Sequence, residues 1–201
     1  MVERRDHLRR TEYGVPSFLG ISAFIMAFFL LRLGLKFLPD LFLWKGYSSL
    51  LTVGNISLTY SDLIYFLFGF IVTTHGVINL FRITKEKNQG ADQETRKPAR
   101  LITNGFYSKA RHPMYGTFII INLGFFLSTR SLWGVFVVLL VSIIQNLNAL
   151  FEEKSELLKI FGESYRTYQN QVRQRILLPV YRIYIILAVA LTVAGVIREF
   201  F

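Results

Sequence analysis

Leu101-Ile-Thr-Asn-Gly-Phe-Tyr-Ser-Lys-Ala-Arg-His-Pro-Met-Tyr115 is the stretch that decides how this chain is read. A polar, turn-forming run ends in Arg111-His112-Pro113 and passes at once into the apolar segment Met114–Ser128. Ionisable groups at the edge of a membrane span are costly, which makes them functional candidates by default. Pro113 suits a helix start, where its missing N–H is not needed. A second charged pair, Glu152-Glu153, closes the next apolar run, Leu132–Phe151. Only Thr129-Arg130-Ser131 joins the two runs, so they must form a tight antiparallel hairpin with both polar clusters at the same end.

The composition agrees with a membrane setting. The chain has 201 residues, 52% of them hydrophobic, with 19 Phe, which is too apolar for an ordinary soluble domain. Five apolar segments stand out: Ser17–Leu38, Ser61–Phe81, Met114–Ser128, Leu132–Phe151 and Val180–Ile197. A span needs ~20 residues to cross a core of ~30 Å, so the third is short. The expected fold is therefore an all-α integral membrane protein of five transmembrane helices, with spans three and four as the tight hairpin and amphipathic helices on the cytoplasmic side. Residues 1–201 read as one membrane domain: 1–84 hold two spans, 85–100 a mobile polar loop or linker, and 101–201 the remainder. The first residues mix acids with Arg4, Arg5, Arg9 and Arg10 and do not read as a cleavable signal. Arg32 and Lys36, in the last turns of the first span, read as snorkelling to the interface.

The chain has no cysteine, which excludes disulfides, thiolate nucleophiles and Cys-based metal sites. His7, His75 and His112 are far apart and carry no ligand spacing, so no metal is expected. The net charge of +10 invites a nucleic-acid reading, but its distribution argues against one. Four Lys/Arg lie in the amino-terminal tail, eight between Arg82 and Arg111 and six between Lys154 and Arg182, against five elsewhere. With five spans the three basic segments share a face. The positive-inside rule makes that face cytoplasmic, with the amino terminus inside and the carboxyl terminus outside. The basicity then belongs to topology and to attraction for anionic headgroups, and no nucleic-acid partner is expected.

At ~100° per residue, Gln145, Ala149, Glu152 and Glu156 fall on one line of the fourth span, with Asn148 beside them and Asn146 and Glu153 on the next row. Interhelical hydrogen bonding would explain the amides. It explains two adjacent carboxylates less well, since they repel unless a cation sits near. Arg111, Arg173, Arg175 or a cationic ligand could supply that charge. Farther on, Leu157, Leu158, Phe161, Tyr165 and Tyr168 recur at helical spacing, with Gly162 as a break. They read as an amphipathic helix on the membrane face, either simply packed or covering the polar wedge.

Asn104-Gly105-Phe106-Tyr107, Arg111-His112-Pro113-Met114-Tyr115, Glu152-Glu153, and Phe161-Gly162-Glu163-Ser164-Tyr165 with Tyr168, Val172 and Pro179 resemble the isoprenylcysteine carboxyl methyltransferases, in a compact prokaryotic or archaeal form. The resemblance covers roughly residues 101–179. It implies an S-adenosylmethionine-dependent methyltransferase, releasing S-adenosylhomocysteine, that acts on the carboxylate of a lipidated or other apolar acceptor at the cytoplasmic face. It implies that Arg111, His112, Pro113, Tyr115, Glu152 and Glu153, with Tyr107 and Tyr165, bind the cofactor, and that an arginine after Val172 holds the acceptor. Gln171 stands where eukaryotic members carry arginine; Arg173 is the nearest substitute and the expected catalytic residue, with Arg175 behind it. Tyr115 and Gly116 are adjacent where the family commonly has one residue between them. Three other readings stand beside this one: a phospholipid N-methyltransferase, an NADPH-dependent sterol-reductase-like enzyme, and a non-catalytic lipid-binding membrane protein.

Overall fold

The computed structural model describes residues 49–53, 56–90, 100–129 and 132–200. The first predicted span, Ser17–Leu38, and Arg130 of the hairpin turn lie outside the described residues. Two strands come first, β1 (Ser49–Val53) and β2 (Ile56–Thr59). Helices α1 (Tyr60–Gly90) and α2 (Pro113–Ser128) follow, then α3 (Leu132–Glu152), a π-helical turn Glu153–Leu157, α4 (Leu158–Gln171) and α5 (Pro179–Phe200).

The all-α expectation thus gains one addition. β1 and β2 pair antiparallel, with Val53 opposite Ile56 and Leu51 opposite Leu58. A second correction concerns the loop expected from Lys85. Helix α1 runs 31 residues, to Gly90, which at 1.5 Å each is about 46 Å. It outruns a ~30 Å core and carries Lys85, Glu86 and Lys87 beyond it.

Two helical stretches are long and apolar enough to span, Asp62–Gly90 and Gly134–Gln171; Pro113–Ser128 and Pro179–Ala194 are shorter. The second of these is itself 38 residues, far more than a bilayer needs. Its apolar part ends at Phe151, where Glu152 and Glu153 begin a largely polar segment. Phe136, Leu139, Leu140, Ile143, Leu147 and Phe151 on α3 are all at least half exposed. An apolar stripe of that extent marks a membrane or protein-interaction surface.

Helices α1 and α2 pack closely because the contact is built from small residues. A Cβ on Gly69 would collide with the Gly124 carbonyl, and one on Gly124 would lie 2.5 Å from Thr73 Oγ1. Such contacts let helix backbones approach where lipid gives no hydrophobic drive. Around them Val72, Ile83, Ile120, Leu178 and Tyr181 form a buried core. A polar chain crosses it: Tyr184 Oη to His75 Nδ1 at 2.8 Å, Asn79 Nδ2 to His75 Nε2 at 3.1 Å and to Tyr181 Oη at 3.2 Å. Tyr181 Oη then meets Thr117 Oγ1 at 2.7 Å. It fastens α1 and α5 to the first turn of α2, which carries the polar corner.

Candidate functional site

The corner is held from behind by backbone. Gly105 adopts φ +57°, and a Cβ there would lie 2.5 Å from the Glu86 carboxylate. That carboxylate accepts the Phe106 N–H at 3.0 Å, so the polar end of α1 fixes the 104–110 turn. Arg111 N–H donates to the Gln174 carbonyl at 3.0 Å and His112 N–H to the Arg175 carbonyl at 2.7 Å. Gly116, one turn into α2, lets the 174–177 strand of backbone pass: a Cβ there would collide with the Ile176 carbonyl.

On this frame the two charged clusters meet. Arg111 Nε donates to Glu153 Oε1 at 2.8 Å, and Arg111 Nη1 to the Val172 carbonyl at 2.8 Å and the Arg173 carbonyl at 3.4 Å. His112 Nε2 lies 3.1 Å from Glu153 Oε1, and its Nδ1 3.3 Å from Glu152 Oε2. Tyr115 Oη donates to Glu152 Oε2 at 2.8 Å, and its ring stacks on His112 with centroids 5.6 Å apart. Gln169 Nε2 reaches Glu153 Oε2 at 3.2 Å. The π turn makes this possible: its Leu158 N–H bonds back to the Glu153 carbonyl, five residues earlier. π turns concentrate at functional sites.

Burial alone would lower the His112 pKa, but the carboxylates of Glu152 and Glu153, as acceptors and as charges, outweigh it and raise it above the ordinary 6.5. For Glu153, burial works to raise the pKa, and the bonds from His112 and Arg111 pull it down to about 2. Both directions have one cause, an imidazole held against two carboxylates.

A cavity of about 210 Å³ opens beside the cluster. Arg111, His112, Tyr115, Glu152, Tyr107 and Tyr165, all marked by the sequence, line it, and Lys87, Arg100, Glu156, Phe161 and Tyr168 join them. Pro113 and Glu153 are buried behind it. Arg173 is exposed and reaches the cluster only through its carbonyl. Arg175 Nε instead points at Glu153 Oε2, 3.7 Å away, buried and with no hydrogen bond among the described residues. Of the wedge amides, Asn146 bonds the Ser142 carbonyl of its own helix, and Asn148 is exposed. Gln145 Oε1 is buried without a partner among the described residues.

The roof is α4. Its helix breaks at Gly162 (φ +51°, ψ −124°), a conformation side-chain-bearing residues avoid. Past the break, Tyr165 and Tyr168 are buried, and Tyr168 Oη donates to the Tyr107 carbonyl at 2.6 Å. Among the described residues the buried Tyr165 hydroxyl has no hydrogen-bond partner of good geometry. Burial, largest of several influences, pushes its pKa up, as it does for Tyr107 and Tyr168. All three hydroxyls stay protonated donors. Among the described residues no cluster of three His, Cys, Asp or Glu side chains could hold a metal.

Lys87 and Arg100 escaped the sequence reading because the polar run after Lys85 looked aperiodic. A count of helical turns past Phe81 could have found Lys87; nothing local marks Arg100.

Comparison with curated proteins gave no match, and comparison with solved structures gave none either. The profile of the phospholipid methyltransferase family matches residues 59–164. This match takes in α1, the corner, the helical hairpin, both acids and the π turn. It spans more than half of the chain, which therefore belongs to the phospholipid methyltransferase family and is a membrane methyltransferase.

Proposed function

We propose that the chain uses S-adenosylmethionine to methylate the carboxylate of an isoprenylcysteine-like or other apolar acceptor at the cytoplasmic membrane face. The observation that carries this reading is the Arg111–His112–Glu152–Glu153 cluster walling a cavity at the polar end of lipid-facing helices. The donor set suits the cofactor. Glu152 and Glu156 face the cavity with negative charge for a sulfonium and an ammonium, Phe161 and the tyrosines offer ring surfaces for a base, and the unpaired Tyr165 hydroxyl can donate to a ligand.

S-adenosylmethionine, when bound, supplies an electrophilic methyl group. The acceptor oxygen bonds to that carbon as the carbon–sulfur bond breaks, and the sulfur keeps the electron pair as S-adenosylhomocysteine. What the chain must do is align and dry the partners. Charge is cancelled in this transition state, so a water-poor pocket favours it over the separated ions, and orientation supplies much of the rate. Glu153, through Arg111 and His112, fixes the wall on which Glu152 and Tyr115 stand. Tyr168, latched to Tyr107, holds the roof that excludes water. No base is needed for a carboxylate acceptor. For its anchoring, Arg175 is better oriented than Arg173, because its guanidinium is turned toward the cluster.

The family match favours a second reading, methyl transfer to the amine of a phospholipid. An ammonium acceptor must lose a proton first. The proton would go to a group on the cavity lining, His112 or the carboxylate of Glu156.

Calorimetric titration of the purified protein with S-adenosylmethionine and with NADPH tests the core of this. Heat is expected with the former alone. Silence with S-adenosylmethionine would end the reading, and heat with NADPH would favour a reductase. Methyl transfer to farnesylcysteine analogues or to phosphatidylethanolamine vesicles then separates the two acceptors. Mapping the amino terminus to the outer face would overturn the cytoplasmic placement.

A further inference from the structure

The cavity has a basic margin that the arrangement above leaves without a task. Lys87 sits in the last turn of α1 and Arg100 just before Leu101 and Ile102. Arg100 N–H donates to the Gly90 carbonyl at 3.1 Å, and a Cβ on Gly90 would lie 2.5 Å from the Ile102 side chain. Both cations line the cavity, whose lining also holds the carboxylates Glu152 and Glu156. The rim and the acids are close enough to feel each other. Burial works against the charge on Glu152, but bonds from His112 and Tyr115 hold its pKa down, and the Lys87 charge adds to them.

A cavity lined by both cations and carboxylates matches one kind of ligand group closely. The ammonium and carboxylate of an α-amino acid hang from a single carbon, so binding both demands opposite charges within a few ångströms of each other. We propose that Lys87 and Arg100 bind the carboxylate of the cofactor's amino-acid end while Glu152 and Glu156 take its ammonium. This rests on the reading of the cavity as a site for S-adenosylmethionine. The clamp fixes the amino-acid end, and two methylenes farther on that decides where the sulfonium lies. Lys87 and Arg100 are therefore positioning and specificity residues, remote from the reacting methyl.

The test uses the full chain in detergent and two ligands, S-adenosylmethionine and its decarboxylated form, which keeps sulfonium and ammonium but lacks the carboxylate. The intact protein is expected to prefer the former by about tenfold or more, the effect of one or two charge-assisted hydrogen bonds. Lys87→Met and Arg100→Met should each weaken S-adenosylmethionine severalfold and leave the decarboxylated ligand unchanged, so that the double variant shows almost no preference. Lys87→Arg should restore most of it. Glu156→Gln should weaken both ligands together. The proposal is overturned if the Met variants bind S-adenosylmethionine normally, or if they weaken both ligands equally. It is equally overturned if their only defect is in binding vesicles of anionic phospholipid, which would assign the rim to a lipid phosphate. An intact protein that binds neither ligand removes the cofactor reading itself. One that binds both equally removes only the clamp.

Discussion

Glu153→Gln tests the charged cluster most directly. The Glu153 carboxylate is 5% exposed and its Arg111 partner 8%. It also receives His112 and Gln169, and Arg175 stands close by. The amide keeps the shape and one acceptor oxygen, but it replaces the other oxygen with an NH₂ facing N–H donors. Arg111 would remain buried with its main counter-charge gone, and His112 would lose an acceptor. Removing one partner of a buried ion pair costs about 3–5 kcal/mol. The retained acceptor and the neighbouring Glu152 put this case at the lower end, about 3 kcal/mol. For a chain of this size that is a fall in midpoint of roughly 6–12 °C. Thermal unfolding in detergent, followed by tryptophan fluorescence, measures it. Arg111→Met should be similarly destabilising, and the double variant should recover part of the loss, because neither charge is then stranded. The reasoning is refuted if Glu153→Gln moves the midpoint by less than about 2 °C, or if the two substitutions simply add.

Three further outcomes follow from the same geometry. Gly116→Ala places a methyl against the Ile176 carbonyl; it should cost about 1–3 kcal/mol and abolish activity by prising the 174–175 backbone from Arg111 and His112, read by unfolding midpoint and turnover. The folded His112 pKa lies above its ordinary value, so the stabilisation it brings is complete below pH ~6.5 and is lost as pH rises through the folded pKa. The unfolding midpoint should accordingly fall on the alkaline side, and His112→Gln should flatten that slope. Tyr168→Phe removes the bond to the Tyr107 carbonyl; it should destabilise by about 1 kcal/mol and speed cofactor release severalfold, measured by stopped-flow fluorescence.

Much of the frame can be read in the sequence, because it is written in hydropathy and in proline and glycine. The three-residue link at 129–131 forces α2 and α3 into a hairpin, Pro113 marks the start of α2, and Gly162 marks the break in the roof. Other features leave little trace. Helix α1 continues through Lys85–Gly90 because it is already nucleated and only its exposed turns are polar, whereas a window on that segment alone reads as loop. The β1–β2 pair rests on a short alternating run that hydropathy merges with its neighbours. The latch from Tyr168 to Tyr107 and the guanidinium of Arg111 both end on backbone carbonyls, partners that side-chain patterns do not encode. The choice between Arg173 and Arg175 turns on a single residue of backbone direction after Val172.

The π turn at Glu153–Leu157 is a slack link between α3 and the roof. It takes up one residue more than an α-helical turn, and the helix breaks again at Gly162 before Tyr165 and Tyr168 are reached. Deleting a single amino acid there would close the turn to ordinary helix and displace Glu156, within it, from the cavity that it lines. The length of that short segment is therefore constrained more tightly than its composition: Lys154 and Ser155 can vary in kind, but not in number.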